Sequence, residues 1–355
     1  MKKISKLLVG ILFSALVIAP SYAGELTVTG GATATYTTNG DDAAAGKNVG
    51  ISNEVNLSAS GELDNGYTWN YSVELDGTST ANDDTALTLG TDMGTIGFFV
   101  TEGGLSTELH GVGALGVGFD YASPASGTTG AFQTGYDVSN YSNIQYHTPA
   151  DILPYGIGLK VGYVPNMSAT TQLSAKESDA TITTQAEGRS LQMAQVSLAP
   201  IDGLTIKGDI AQTDSEGGAA GSHDDGISAN VGAKYTIGQI SVGYVEGGYQ
   251  PATGAAVADP TIYYENKFLG VQFDVNDNVS VSYNVDESTK NTRAEVAVGA
   301  TAGTKTTTAM EQETLQLAYT AGGATIGIAD IEVTNSDYLA GKAETQTVVS
   351  LGISF

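Results

Sequence analysis

Alternation of apolar with small or polar side chains, in segments of about ten residues, is the feature that most restricts the fold of this chain. In residues 279–285, valines and a tyrosine at odd positions alternate with Ser280, Ser282 and Asn284. A period of two puts the two kinds of side chain on opposite faces of a β-strand. With 46 glycines and only 15% charged residues, the composition is poor for helices. The chain is therefore predicted to be all-β.

The connections between these segments alternate in length. The seven short ones include Asn65-Gly66 and Gly322-Gly323, which form tight hairpin turns at low conformational cost. The eight longer ones lie near residues 39–50, 77–84, 101–140, 166–188, 214–226, 250–259, 289–308 and 337–343. Together they would join sixteen strands. Short turns at one end and long loops at the other predict a sixteen-stranded antiparallel transmembrane β-barrel.

The N-terminus has the pattern of a secretory signal peptide. Lys2, Lys3 and Lys6 precede an apolar run over residues 7–19, and Ser21-Tyr22-Ala23 resembles a cleavage site. We expect residues 1–23 to be removed and residues 24–355 to form the barrel, although an uncleaved anchor is an alternative. No later apolar stretch would span a bilayer as a helix, so a membrane-inserted chain would have to cross with strands.

The apolar faces of the segments are predicted to face lipid, and the polar faces to enclose water. The polar faces are too hydrated to pack as a core, as a soluble sandwich would require. Tyrosines near strand ends suit an interfacial girdle, although tyrosine is also common in all-β proteins; the set is Tyr67, Tyr71, Tyr163, Tyr235, Tyr244, Tyr264, Tyr283 and Tyr319. The alternation is interrupted at residues 193–196 and 329–331, where β-bulges would exchange the inward-facing and outward-facing side chains.

Charge and cysteine content exclude several classes of function. The net charge of −25 argues against nucleic-acid binding. The absence of cysteine excludes disulfides and thiolate metal sites. No cofactor is predicted. Paired acids at residues 41–42, 83–84 and 224–225 could bind Ca²⁺, but none belongs to a complete ligand loop, which favours solvated loop charges.

Four stretches carry a resemblance to a known family. They are residues 24–30, residues 57–74 with their Asn-Gly turn, residues 140–149, and the last strand ending in Phe355. In these stretches the sequence resembles the general porins of Gram-negative bacteria, most closely those of alphaproteobacteria. The resemblance implies a homotrimer of outer-membrane barrels, each a water-filled passage for small hydrophilic solutes, with a third loop folded inward. It also implies recognition of Phe355, Ile353 and Leu351 by the barrel-assembly machinery.

Charged residues give a prediction for the selectivity of such a pore. The third loop, about residues 101–140, would supply the constriction carboxylates Glu102, Glu108, Asp120 and Asp137. Strand phase and position give the pore-lining set Glu54, Glu74, His147, Lys160, Lys207, Asp209 and Lys234. The basic wall of the family is replaced by glutamates in the early strands, so we expect a pore that favours cations. The three lysines could offset this charge locally, or lie far from the narrowest point.

Three other functions remain open. An outer-membrane enzyme would need a histidine aligned with a nucleophile, and His110, His147 and His223 show no such spacing. A secreted, acidic β-rich adhesin would share the composition but would not need a terminal phenylalanine strand. A substrate-specific channel would have aromatic side chains along the passage, for which Tyr121, Tyr136 and Tyr141 are candidates.

Overall fold

In the computed structural model, the described part of the chain is a closed antiparallel barrel of sixteen strands. The described residues are 24, 26–41, 46–76, 84–107, 132–149, 152–167, 189–215, 225–252, 261–293 and 305–355. Each strand pairs with its neighbours in sequence, and the first pairs with the last. The predicted fold class and strand number are confirmed.

The strands run as follows in chain order. They are β1 Leu26–Asp41, β2 Gly46–Glu62, β3 Thr68–Asp76, β4 Thr85–Thr91, β5 Gly94–Val100, β6 Asn143–His147, β7 Gly158–Val164, β8 Arg189–Ile201, β9 Leu204–Ser215, β10 Ile227–Ile237, β11 Ile240–Gln250, β12 Thr261–Asn276, β13 Val279–Arg293, β14 Lys305–Ala321, β15 Ala324–Thr334 and β16 Ala343–Ser354. Three short 3₁₀ helices lie between them, at Val138–Asn140, Pro154–Gly156 and Ser336–Tyr338. Within these ranges no helix has the length and apolar character needed to cross a membrane.

The two faces of the sheet differ in the way the alternation predicts. Side chains on the outer face are apolar and exposed, as Val231, Leu315 and Ile326 show at 56, 53 and 51%. Inner-face positions are largely polar and buried, as Asn266 and Ser288 show at 0%. A soluble sandwich would bury its apolar face instead. The barrel therefore presents its apolar side to its surroundings.

Two apolar clusters occupy the inside of the barrel, which the sequence pattern did not predict. The smaller inner cluster consists of Leu105, Val138, Val164, Leu191, Met193 and Ala211. The larger inner cluster consists of Phe132, Val245, Phe268, Met310, Ala329, Ile331, Val333 and Val348. Each combines inner-face strand residues with residues from the connection between β5 and β6, so that this connection covers apolar parts of the inner wall.

The inner clusters explain two errors in the sequence prediction. The β8 and β15 registers run without a break through residues 193–196 and 329–331, so the predicted β-bulges are wrong. Alternation slips there because Met193, Ala329 and Ile331 are apolar residues on the inner face. The irregular pairings lie instead between residues 198 and 201 and between 274 and 276.

Most of the predicted girdle tyrosines lie on the outer face, but Tyr264 does not. Tyr71, Tyr163, Tyr235, Tyr244, Tyr283 and Tyr319 are between 38 and 49% exposed. Tyr264 is 8% exposed and shares the inner face of β12 with Asn266 and Phe268. Its ring stacks on Tyr249 with centroids 5.8 Å apart. The prediction was wrong for Tyr264 because it lies one residue out of phase with the outer face.

Candidate functional site: the inner wall and the third loop

A row of paired residues, all with polar side chains except one glycine, crosses the inner wall from β5 to β13, and we call it the inner belt. Strand pairing joins its members side by side, and they are Thr95, His147, Lys160, Gln195, Asp209, Asn230, Gly247, Asn266 and Ser288. His147, Lys160 and Asp209 were predicted to line the pore, and the register places all three in this row. Gln195, Asn266 and Ser288 were missed, because amide and hydroxyl side chains carry no distinctive sequence signal.

The third loop lies between β5 and β6, and its first described end, residues 101–107, is anchored to the inner belt. The Thr107 N–H donates to Asp209 Oδ2 over 2.5 Å, and Asn230 Nδ2 donates to Asp209 Oδ1 over 3.1 Å. Gln195 Nε2 donates to the Leu105 carbonyl over 2.7 Å. Leu105 itself is fully buried in the smaller inner cluster. The residues that enter the loop therefore lie inside the barrel against β8 and β9.

Strand β6 holds the base of the same loop. Asn143 Nδ2 donates to the carbonyls of Glu102 and Val138, both over 3.0 Å. Gln145 donates to the Gly103 carbonyl. Gly103 has a φ of +78°, and a Cβ there would stand 2.6 Å from Gln145 Nε2, so both the backbone angle and the space require glycine.

Asp137 joins the two ends of the third loop. Its Oδ1 accepts the Leu105 N–H at 2.9 Å and the Ser139 N–H at 3.2 Å, and its Oδ2 accepts the Ser106 N–H at 3.1 Å. Asp137 is also the N-cap of the 3₁₀ helix Val138–Asn140. The sequence suggested a carboxylate that acts on passing ions, whereas this one binds backbone amides. An aspartate before a short helical turn is a recognisable capping signal.

The other described end of the third loop, residues 132–142, contacts the inner wall at β10 and β12. The Tyr136 N–H donates to Ser228 Oγ over 3.1 Å, and Asn266 Nδ2 donates to the Gln133 carbonyl over 3.0 Å. Phe132 packs edge-on against Phe268 in the larger inner cluster, with centroids 5.3 Å apart. The described ends of the loop thus contact the inner wall from β6 round to β12. Glu108 and Asp120, both predicted constriction residues, lie outside the described residues, as do His110, His223 and Tyr121.

Carboxylates gather where the third loop begins. One carboxylate oxygen from each of Glu74, Asp84 and Glu102 lies within 4.8 Å of the others. The Glu102 carboxylate also accepts the Gly103 N–H at 3.0 Å, and the Thr101 hydroxyl donates to Asp84. Three oxygens are fewer than the six or more that Ca²⁺ takes. The arrangement concentrates negative charge at one side of the inner wall. Of the predicted acid pairs, Asp42, Asp83 and Asp224 lie outside the described residues.

The remaining predicted lining residues are spread over the inner face. By register, Glu54 lies opposite Gly31, on the inner face of β2. Lys207 lies two positions from Asp209 on β9, and Lys234 lies on the inner face of β10 with Ser228 and Asn230. His147 Nε2 lies 2.8 Å from Gln145 Oε1. Lys290 on β13 is a further inner cation, and its ammonium lies 5.9 Å from the centre of the Tyr338 ring.

A row of four tyrosines follows the inner wall near the long loops. Ring centroids are 5.2 Å apart for Tyr136 and Tyr249, 5.8 Å for Tyr249 and Tyr264, and 5.3 Å for Tyr264 and Tyr338. Tyr136 comes from the third loop and Tyr338 from the last loop, residues 335–342. Burial raises the pKa of Tyr338, although hydrogen bonds with Ser288 and Gln133 oppose the shift. The Tyr338 side chain, at one end of the row, therefore stays uncharged at neutral pH.

The described residues form a closed sixteen-stranded barrel with an apolar exterior and a polar inner belt, against which both described ends of the third loop lie. This is the architecture of barrels that cross a membrane with strands. Solved structures share this fold. Similar folds include the trimer form of OmpT, an outer membrane protein of Vibrio cholerae, with a TM-score of 0.61, 15% identity, and coverage of 94% of this chain and 100% of that chain.

An anion-selective porin from Comamonas acidovorans is similar at a TM-score of 0.63 and 15% identity, covering 94% of this chain and 100% of that one. The outer membrane channel DcaP of Acinetobacter baumannii is similar at a TM-score of 0.62 and 11% identity, covering 94% of this chain and 97% of that one. At such identities the likeness shows the fold alone. The chain matches no protein-family model and no curated protein.

Proposed function

We propose that this protein is a passive channel of the outer membrane, through which small hydrophilic solutes and ions diffuse in water. The observation that carries the proposal is the inner belt, which gives the inner wall a polar surface and holds the described ends of the third loop against it. A barrel of this strand number is wide enough for an aqueous passage. The alphaproteobacterial type of porin remains part of the proposal and rests on the sequence resemblance.

Reconstitution into planar bilayers tests this proposal. The purified, folded protein should insert in discrete steps of ohmic conductance, and small sugars should enter liposomes that contain it. A protein that is folded in detergent, as judged by its heat-shifted migration in gels, but that gives no conductance would contradict the proposed function.

We propose further that the channel favours cations. Support comes from the carboxylates of Glu74 and Glu102 at the entry to the third loop, and from Glu54 by register on the inner face. Negative charge in a low-dielectric passage raises the local concentration of cations. The lysines of the inner face, at positions 160, 207, 234 and 290, oppose this effect on the far wall.

Reversal potentials in a potassium chloride gradient test the preference. Wild-type protein should prefer potassium, and the E74Q/E102Q variant should shift the potential toward zero. Glu332 is exposed on the outer face of β15, so E332Q is a matched control that should leave the potential unchanged. Preference for chloride in the wild type would refute the proposal.

The proposal includes a homotrimer in the outer membrane, reached after export directed by residues 1–23. Its membrane neighbours would be lipid and two further copies, and its assembly would depend on the barrel-assembly machinery. Leu351, Ile353 and Phe355 are 49, 52 and 68% exposed on the outer face, where such a machinery could bind them. Native gel electrophoresis of detergent extracts, with membrane fractionation, checks the oligomer and the location.

We propose no catalytic activity. Among the described residues the only histidine is His147, whose ring contacts the Gln145 amide and whose strand partners are Thr95 and Lys160. None of these three is a carboxylate that would orient the ring as a base. Passage of solutes alone requires no such base.

The tyrosine row supports a second candidate, a channel selective for solutes with an apolar face. Aromatic rings along a polar wall offer weak, non-covalent contacts to sugar faces and planar rings. A selective channel would show conductance block that saturates with such a solute, whereas a general pore would show flux that depends only on size. Measurement of flux against concentration for several sugars of equal mass separates the two.

A further inference from the structure

The last loop reaches into the barrel and binds the third loop directly. The Tyr338 hydroxyl accepts the Gln133 N–H at 3.1 Å and lies 2.8 Å from Ser288 Oγ of the inner belt. A hydroxyl can accept one hydrogen bond while donating another, so Tyr338 can donate to Ser288. A single side chain thus connects the last loop, the third loop and the wall.

The Tyr338 ring is held as firmly as its hydroxyl. It packs on the larger inner cluster, lies 5.3 Å from the Tyr264 ring and carries the Lys290 ammonium over its face. The next contacts along the third loop are those of Gln133 with Asn266 and of Phe132 with Phe268. Displacement of Tyr338 would therefore loosen the part of the third loop that crosses to β12.

The backbone conformation of the last loop places the Tyr338 side chain against the inner wall. Asn335, Asp337 and Tyr338 have φ values of 52, 58 and 57°. Left-handed backbone is rare for a bulky residue and persists only where surrounding contacts fix it. Asn335 supplies two such contacts, from Nδ2 to the Ala309 carbonyl at 2.7 Å and from the Gly341 N–H to Oδ1 at 2.8 Å.

An ion pair closes the turn behind Tyr338. The Lys342 ammonium contacts the Asp337 carboxylate and lies 2.8 Å from Glu344 Oε1. Both carboxylates raise the pKa of Lys342. The loop is thereby fastened to the top of β16 on one side and to β14 through Asn335 on the other.

We propose that Tyr338 is a positioning residue for the channel: its hydroxyl holds the Gln133 segment against the inner wall and so couples the last loop to the width of the passage. The inference rests on the proposed channel function and adds to it a specific control of the third loop. Release of Tyr338 would let residues 132–137 move away from β12, and the passage would fluctuate between a narrower and a wider state.

The Y338F variant tests the coupling, since it keeps the ring and removes the hydroxyl. The variant loses the bonds of the hydroxyl to both the Gln133 N–H and Ser288. Loss of the bond to the Gln133 N–H by itself should raise the population of the released state about fivefold. Single-channel recordings should show a matching increase in time spent at a second conductance level. S288A should change the recordings in the same direction. Tyr319 is 49% exposed on the outer face, so Y319F is the matched control and should behave as wild type.

A chemical measurement tests the contact without reference to conductance. The chain has no cysteine, so Q133C provides the only thiol, and it keeps the backbone N–H that binds Tyr338. Methanethiosulfonate labelling of Q133C should become about fivefold faster when Y338F is added, and should not change when Y319F is added.

The outcomes separate the two proposals. Folded wild-type protein without conductance would refute the channel, while the labelling rates would still test the contact. Conducting protein in which Y338F changes neither the conductance levels nor the labelling rate would overturn the role of Tyr338. If Y338F yields no folded barrel, the same comparison is made with S288A, and an unchanged labelling rate there also overturns it.

Discussion

Replacement of Asp137 by alanine should release the two ends of the third loop from each other. The carboxylate accepts N–H groups from Leu105, Ser106 and Ser139, at distances from 2.9 to 3.2 Å. Hydrogen bonds to a charged acceptor are stronger than neutral ones, and Asp137 is partly exposed, so we take about 1 kcal/mol for each. Only the bonds from Leu105 and Ser106 join the two ends, because Ser139 belongs to the same end as Asp137. These two together contribute about 2 kcal/mol, or a factor of about thirty in the equilibrium between held and released loop ends.

Hydrogen exchange measured by mass spectrometry on protein in detergent micelles reports this equilibrium directly. In D137A the amides of Leu105 and Ser106 should exchange about thirtyfold faster, if they exchange by local opening. Amides in the middle of β13, such as Ser282, should keep their rates because the barrel wall is intact. D137N retains one acceptor oxygen and should give an intermediate rate. Unchanged exchange at Leu105 in D137A would show that the carboxylate does not hold the loop.

Three further predictions follow from the fold. I331A, at a fully buried inner position, should cost about 2–4 kcal/mol, read from the midpoint of heat unfolding, and the exposed outer-face I326A should cost much less. Deletion of Phe355 should lower the fraction of protein in the outer membrane, measured by fractionation, because Gly30 of β1 loses its two backbone hydrogen bonds with Phe355. Ion pairing raises the pKa of Lys342, so the stabilisation by this ion pair is complete below the ordinary value of 10.5 and is lost as the pH rises through the higher value of the folded protein. Occupancy of the second conductance level should therefore be constant from about pH 7 to pH 9 and rise only in stronger alkali; a change near neutral pH would contradict this.

Much of the fold could be predicted from the sequence, because side chains on a β-strand alternate between two faces. In an all-β barrel no helical periodicity competes with this two-residue pattern. The outer face is mostly apolar, so residues such as Val231 and Ile326 identify it locally. The inner face has two kinds of surface. It is polar along the inner belt and apolar at the two inner clusters, and only the polar part follows the alternation of the sequence. Met193 and Ile331 were misread for this reason.

The candidate site was less predictable, because its contacts join residues far apart in the chain. The Asp209 carboxylate is recognisable as inner-facing, but its bond to the Thr107 N–H depends on the path of a loop. A carboxylate that binds backbone amides and one that meets passing ions have the same sequence signature. Tyr338 gave no signal either, since its position depends on the left-handed backbone of the last loop.

The pairing of β1 with β16, which closes the barrel, has a consequence for folding. Gly30 and Phe355 exchange two backbone hydrogen bonds of 2.9 Å each, and a Cβ on Gly30 would stand 3.0 Å from the Phe355 ring. Closure of the barrel thus requires the pairing of β1 with β16. A chain without β16 carries two unsatisfied strand edges, which a hydrocarbon environment does not tolerate. Stable residence in a bilayer therefore depends on contacts between the two strands that lie farthest apart in the sequence, and a chain that lacks β16 would leave the sheet open instead of forming a smaller barrel.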